Sequence, residues 1–267
     1  MRFNNVKKED ILFLENEGFV EIPVVTYYEL IRLTGPCMVV LFRSGTLILQ
    51  GKEKAVVQYA STLSGKGLRG NVNFREERGI IIGSDEALKG DTFGGIVVAG
   101  VRADVLLREN LLLLGVMDSK KIPDDQIYPL AAAIKKIVPY SVISLFAEQY
   151  NQKPGDVTSL LNSLHSEVFS QLNVLGAVHI VDEYPGCTVG HHEPHAESNY
   201  IEVAAGSILA REGALLQLRA LSEMLGYTVP KGSTHVERAL SYLKRTKKDP
   251  SLYVKMHFKN VKSIFCA

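Results

Sequence analysis

The residues best placed to do chemistry are acids that follow apolar runs. Asp85 and Glu86 come just after Ile80-Ile81-Ile82, and Asp182 closes Val178-His179-Ile180-Val181. Ligand sites in α/β sheets gather outside the carboxyl ends of strands. Glu197 precedes a helical stretch whose Ala204, Ala205, Ser207 and Ala210 make a small-residue face. Acids converging on one place repel each other unless a cation fills the gap. Oxygen-only ligands suit Mg²⁺ or Mn²⁺ better than zinc. Neighbouring strand residues point to opposite faces, so Asp85 and Glu86 share a metal only if the strand ends at them. Gly90 permits that ending. The competing reading is four unrelated surface acids.

Other combinations carry less. Cys187, His191, His192 and His195 contain zinc-ligand types, but structural zinc uses two pairs at tighter, regular spacing. They are expected in a loop between Asp182 and Glu197. His165, beside Leu161 and Leu164, reads as a satisfied structural histidine, and Leu111 to Leu114 as core. Nothing orients Ser207 against a histidine, so it is not a nucleophile.

The elements that must position these acids follow from periodicity. Residues 38–50 are two β-rich runs around Arg43-Ser44-Gly45, a hairpin signal, and a helix follows carrying Ala55, Val56, Tyr59 and Leu63 on one face. Glycines among basic residues then break the pattern. The expected layout is a small α+β domain over residues 1–66, a linker over 67–78 and an α/β domain over 79–267. In the last, strands near 80–86, 94–102, 140–146 and 177–182 alternate with helices near 123–137, 157–172 and 200–225, and a shorter helix begins near Ser233. That alternation indicates a layered domain with a mixed or parallel sheet.

Of 267 residues, 46% are hydrophobic and 22% charged, which excludes wholesale disorder. No apolar run approaches the roughly 18 residues of a membrane span, and the first residues lack the apolar centre of a secretory signal. Cys37, Cys187 and Cys266, odd in number and far apart, make no disulfide framework. A cytoplasmic protein, monomeric by default, is expected. Thirty basic residues balance 29 acidic ones, yet residues 231–267 hold nine basic against Glu237 and Asp249. That local excess suits an anionic partner.

Several motifs, in order over residues 79–262, carry a family resemblance. Residues 83–91, Gly-Ser-Asp-Glu-Ala-Leu-Lys-Gly-Asp, resemble the signature of type 2 ribonucleases H in their HIII form. Residues 115–121, Gly-Val-Met-Asp-Ser-Lys-Lys, resemble the second signature. Residues 179–182 stand where a third acid is expected, and 196–198 with 203–211 resemble the stretch carrying the fourth. Residues 229–233 and 257–260 are similar to late family motifs. A Glu as fourth acid is similar to the HIII branch, and residues 1–66 are similar to its TATA-binding-protein-like domain.

The resemblance implies a ribonuclease H-like catalytic fold and cleavage of the RNA strand of RNA–DNA hybrids by two metal ions, leaving 5′-phosphate ends. It implies that Asp85, Glu86, Asp182 and Glu197 are catalytic metal ligands for Mg²⁺ or Mn²⁺. Leu88, Lys89, Gly90, Ser119, Lys120, Lys121 and Lys231 then contact substrate. Leu88 departs from the family, which has glycine there, in a loop that offers backbone groups to a 2′-hydroxyl. A β-carbon is expected to restrict φ and to crowd the sugar. Two alternatives are a non-catalytic hybrid-binding protein, for which only Leu88 speaks, and a two-metal nuclease of the same fold acting on DNA.

Overall fold

The computed structural model describes residues 1–3, 5–68, 74, 75, 77–153 and 155–265, with all their side chains except those of Arg2, Glu53, Leu113 and Lys121. Half of the expected linker, residues 69–73 and 76, lies outside the described residues, as does Cys266.

The first sheet is built from β1 (Arg2–Phe3), β2 (Val20–Ile22), β3 (Glu29–Thr34), β4 (Met38–Phe42) and β5 (Leu47–Gln50). A 3₁₀ segment, Lys8–Glu17, lies between β1 and β2, and α1 (Glu53–Gly65) follows β5. The order is β1-β5-β4-β3-β2, all antiparallel. The β4–β5 hairpin turns at Gly45, whose φ of 79° suits glycine. Strict alternation in β3 sends Ile31 and Leu33 inward to meet Leu41, Leu47, Leu49 and Leu63 of α1. Hairpin and α1 fulfil the periodic reading. The short edge strands β1 and β2 and the 3₁₀ segment had no comparable signal, and the interior strand β3, though alternating, went unread.

The second sheet is mixed. It uses β6 (Ile81–Ala87), β7 (Ile96–Ala103), β8 (Tyr140–Leu145), β9 (Val178–Asp182) and β10 (His191–Glu193), in the order β10-β9-β6-β7-β8. Pairing is antiparallel among β6, β7 and β8 and parallel among β6, β9 and β10. The helices are α2 (Val105–Leu113), α3 (Asp124–Ile137), α4 (Ala147–Asn151), α5 (Val157–Leu172), α6 (Ala196–Asn199), α7 (Ile201–Leu225), α8 (Glu237–Thr246) and α9 (Lys259–Phe265). Among the described residues no helix is long and apolar enough to cross a membrane.

Helix α7 is the central support. Its residues 201–210 are buried on every side, which a helix tolerates only when packed all round. Glycines let it approach the sheet. A β-carbon on Gly83 of β6 would lie 2.3 Å from the Val203 nitrogen, and one on Gly206 of α7 would lie 3.0 Å from the Ala99 carbonyl. On the other face, α5 buries Leu161, Leu164, Val168 and Leu172 against Ile82 and Val98. An ion pair ties the layers: Arg108 of α2 binds Glu202 of α7 and donates to the carbonyls of Glu77 at 2.6 Å and Gly79 at 2.7 Å.

The expected end of the first strand at Asp85-Glu86 is corrected. Strand β6 runs on to Ala87, which pairs with Val97. Asp85 therefore faces Ser207 on α7, and Glu86 faces His165 on α5.

Candidate active site

Three segments bring four carboxylates together. Asp85 and Glu86 come from the end of β6 and Asp182 from the end of β9, its parallel neighbour. Glu197 comes from α6, whose first amide, Ala196 N, donates to Asp182 Oδ1 at 2.8 Å. The second signature reaches the same place. Asp118 caps the short Ser119–Lys121 turn, Ser119 Oγ lies 2.8 Å from Ser207 Oγ, and Arg211 binds the Ser119 carbonyl. That docking carries Lys120 Nζ to 2.9 Å from Glu197 Oε1. Lys89 Nζ stands 3.2 Å from Glu86 Oε1 and over the Tyr184 ring.

The electrostatics show a crowded cluster. Burial, then Glu86 and Asp182, push the Asp85 carboxyl well above the usual range. Burial and the neighbouring Glu197 push Asp182 up to about 7. Burial also opposes ionisation of Glu86 and Glu197, but His165 with Lys89 holds the first down and Lys120 the second. Glu197 Oε2 is buried with no hydrogen-bond partner. Among the described residues no three His, Cys, Asp or Glu side chains converge in a finished ligand arrangement. Lys89 pairs with Glu86 and Lys120 with Glu197, while Asp182 lies against Glu197. The donor set nevertheless fits a hard cation: oxygen donors only, ionisation resisted at two of them, and an unsatisfied oxygen directed inward.

Sequence reasoning missed what stands behind Glu86. His165 is fully buried, with Nε2 3.4 Å from Glu86 Oε2 and Nδ1 2.8 Å from Ser84 Oγ. His179 Nε2 lies 2.8 Å from the same hydroxyl, and burial followed by His165 lowers His179 to about 4. Ser84 has one proton to give and two lone pairs, so at least one imidazole donates to it. Where His179 donates and His165 Nδ1 accepts, a neutral His165 carries its proton on Nε2, facing the carboxylate. The expectation of a satisfied structural histidine is corrected, since His165 Nε2 is buried without a hydrogen bond and faces Glu86 across 3.4 Å. Tyr184 stacks on the His165 ring at 5.4 Å. The β-period put Ser84 and His179 on inward faces, but which histidine met which serine depended on α5.

The remaining expected residues are distributed. Lys231 is paired with Asp124, so a phosphate must compete for it. Gly90 has open space beside it. The side chain of Lys121 is outside the described set. His191 and His192 sit in β10, a short strand where a loop was expected, and His195 precedes α6 with φ 58°. For Leu88 the expectation is corrected. It adopts φ 67° despite its β-carbon, and its side chain turns into the core against Gly94 rather than toward a sugar. The left-handed turn that glycine allows is thus kept by a leucine whose burial offsets the strain.

A mixed five-stranded sheet, a buried central helix and acids at adjacent parallel strand ends define a ribonuclease H-like α/β protein. The sequence pattern of the family described as Ribonuclease HII matches residues 82–261. Ribonuclease HIII of Bacillus velezensis is 32% identical over 260 residues, covering 84% of this chain and 83% of that protein. The Geobacillus kaustophilus ribonuclease HIII is 31% identical, covering 84% of each. Among solved structures, Bst-RNase HIII in complex with Mn²⁺ is 27% identical with a TM-score of 0.65, over 100% of this chain and 98% of that one. The ribonuclease H2 of Pyrococcus horikoshii, 21% identical with a TM-score of 0.59, shares the fold over 69% of this chain and 96% of its own. This chain belongs to the type 2 ribonuclease H family, in its ribonuclease HIII branch.

Proposed function

We propose that this chain is a cytoplasmic, single-chain endonuclease that hydrolyses the RNA strand of RNA–DNA hybrids with Mg²⁺ or Mn²⁺, leaving 5′-phosphate and 3′-hydroxyl ends. The observation that carries this reading is the meeting of Asp85, Glu86, Asp182 and Glu197, with Asp85 and Asp182 resisting ionisation and Glu197 Oε2 unsatisfied. Such a cluster is costly to fold and gains its purpose from bound cations. Those four carboxylates are the proposed ligands. Two cations held there supply an activated water and countercharge for the leaving oxygen.

The chain's own residues supply the rest. His165, relayed through Ser84, fixes the orientation of Glu86. Lys89 and Lys120 sit beside the acids, close enough to exchange a carboxylate for a substrate phosphate. Gly90, beside Lys89, has open space next to it, where a 2′-hydroxyl would distinguish RNA from DNA. Leu88, the one feature favouring a non-catalytic binder, preserves the turn and no longer supports that alternative.

Matched RNA–DNA, DNA–DNA and RNA–RNA duplexes, with and without each cation, test the proposal. Cutting of the RNA strand in the hybrid alone, and only with cation, is expected. Equal cutting of DNA–DNA would favour the rival nuclease, and binding without cutting the rival binder.

A further inference from the structure

Lys255 is fully buried, and among the described residues few charged side chains are so enclosed. Its Nζ donates to the carbonyls of Leu88 at 2.8 Å and Asp91 at 2.5 Å. The ammonium also lies over the rings of Tyr150 and Phe258, 5.4 and 5.3 Å from their centres. The surrounding backbone is zipped to the same loop: Lys255 N donates to Thr92 O, Gly94 N to Tyr253 O, and Phe93 bridges Val254. A third segment closes over it, since Gly232 N donates to Asp91 Oδ1 and Thr92 N to Gly232 O.

Burying an ammonium is costly even when it is paired, and an apolar side chain of similar volume would fill the space without that cost. The enclosed charge therefore points to a local task. One ammonium grips both ends of residues 88–91, a turn that begins with a leucine in the left-handed region. With both end carbonyls held inward, the turn is fixed around Gly90, which has open space beside its α-carbon.

We infer that Lys255 is a positioning residue that acts from inside the core, presetting the Leu88-Lys89-Gly90 backbone to recognise a ribose 2′-hydroxyl. The inference rests on the ribonuclease reading above. Burial lowers the amine to about 7, in keeping with an enclosed group whose partners are backbone dipoles more than a carboxylate. Packing alone would need no nitrogen at this position.

The test compares wild type, Lys255→Met and Lys255→Gln on a set of RNA–DNA hybrids, each with one 2′-fluoro nucleotide at a successive position around the cut. Fluorine cannot donate the hydroxyl proton. For wild type, kcat/KM should fall about tenfold or more at one position, the scale of a lost positioning contact. In Lys255→Met, cleavage of the all-ribose hybrid should fall by a similar factor and the penalty at that position should shrink to within about twofold. Lys255→Gln, which keeps N–H donors, should recover part of both. Thermal melting is measured alongside. An undiminished 2′-fluoro penalty in a folded Met variant overturns the inference. So does unfolding of both variants at assay temperature, since the role is then structural only. Wild type that cuts no hybrid overturns the ribonuclease reading itself, a distinguishable failure.

Discussion

Asp85 carries a heavy electrostatic burden. It is buried, Glu86 and Asp182 lie against it, and its carboxyl is raised well above the usual range. A folded-state pKa above the unfolded one means that the group's favourable contribution is present below the unfolded value and lost as pH rises through the folded one. Ionised Asp85 therefore strains the metal-free protein at neutral and alkaline pH. Asp85→Asn should raise the Tm of the chelator-treated protein, by more at pH 8 than at pH 5. Thermal melts of both proteins at the two pH values check this, and an equal or lower Tm at pH 8 would contradict it. Asp85, Glu86 and Asp182 were legible because each follows an apolar run that periodicity identifies as a strand, whereas Glu197 stood out by the family resemblance. The acids' company was not legible: His165 and Tyr184 reach Glu86 from α5 and from the chain beyond β9, and no spacing links them to residue 86. Leu88 was legible as a departure but not in its consequence. Its φ and burial depend on Gly94 and on Lys255, 167 residues further along, so the expected crowding of the sugar by its β-carbon loses its basis.

Between elements, the Arg108–Glu202 pair is the clearest single tie. It joins α2 to α7, and Arg108 also holds the carbonyls that precede β6. Burial pushes Glu202 up against the pull of Arg108, so the acid depends on its partner. Arg108→Met strands that acid and should cost about 3 kcal/mol, within the usual range for breaking a buried pair. In a chain of this size the Tm should drop by roughly 10 °C. Arg108→Met with Glu202→Met should recover most of the loss, because no buried charge is left unpaired. Calorimetry of single and double variants decides it: a double variant no better than the single would mean that packing, not charge, is the tie. Long elements such as α5 and α7 showed themselves through apolar spacing, and α5 begins and ends where its pattern does. Strand β6 outran its expected end because its pairing with β7 continues past the acids to Ala87 and Val97. Local residue types could not reveal a partner strand's length.

At the scale of the whole molecule, all four acids lie in the second sheet and its helices, while residues 1–66 build a separate sheet and core. Helix α1 nonetheless borders a cleft of about 420 Å³ with Met117, Ile122 and Leu130 on its far wall. Residues 117 and 122 flank the turn that carries Lys120 to Glu197. We expect a chain lacking residues 1–66 to show KM raised about tenfold with kcat kept within a few-fold, the mark of lost uniform binding. Steady-state kinetics on a long hybrid measures both. A kcat lower by orders of magnitude with KM unchanged would give the first sheet a part in chemistry, transmitted through that cleft. Two regions were foreseeable from the glycine-rich break in pattern, but the cleft was not, since it forms between residues distant in sequence.

Above all, the carboxylate cluster is expected to hold cations for hydrolysis. Hybrid cleavage by wild type and Asp85→Asn, over a titration of Mg²⁺ and of Mn²⁺, tests that expectation. Wild type should cut in proportion to bound cation and fall silent with chelator. The Asn variant, folded by its melting curve, should lose hydrolysis by orders of magnitude at every cation concentration. Full activity in that folded variant, or cation-independent cleavage by wild type, would contradict the account.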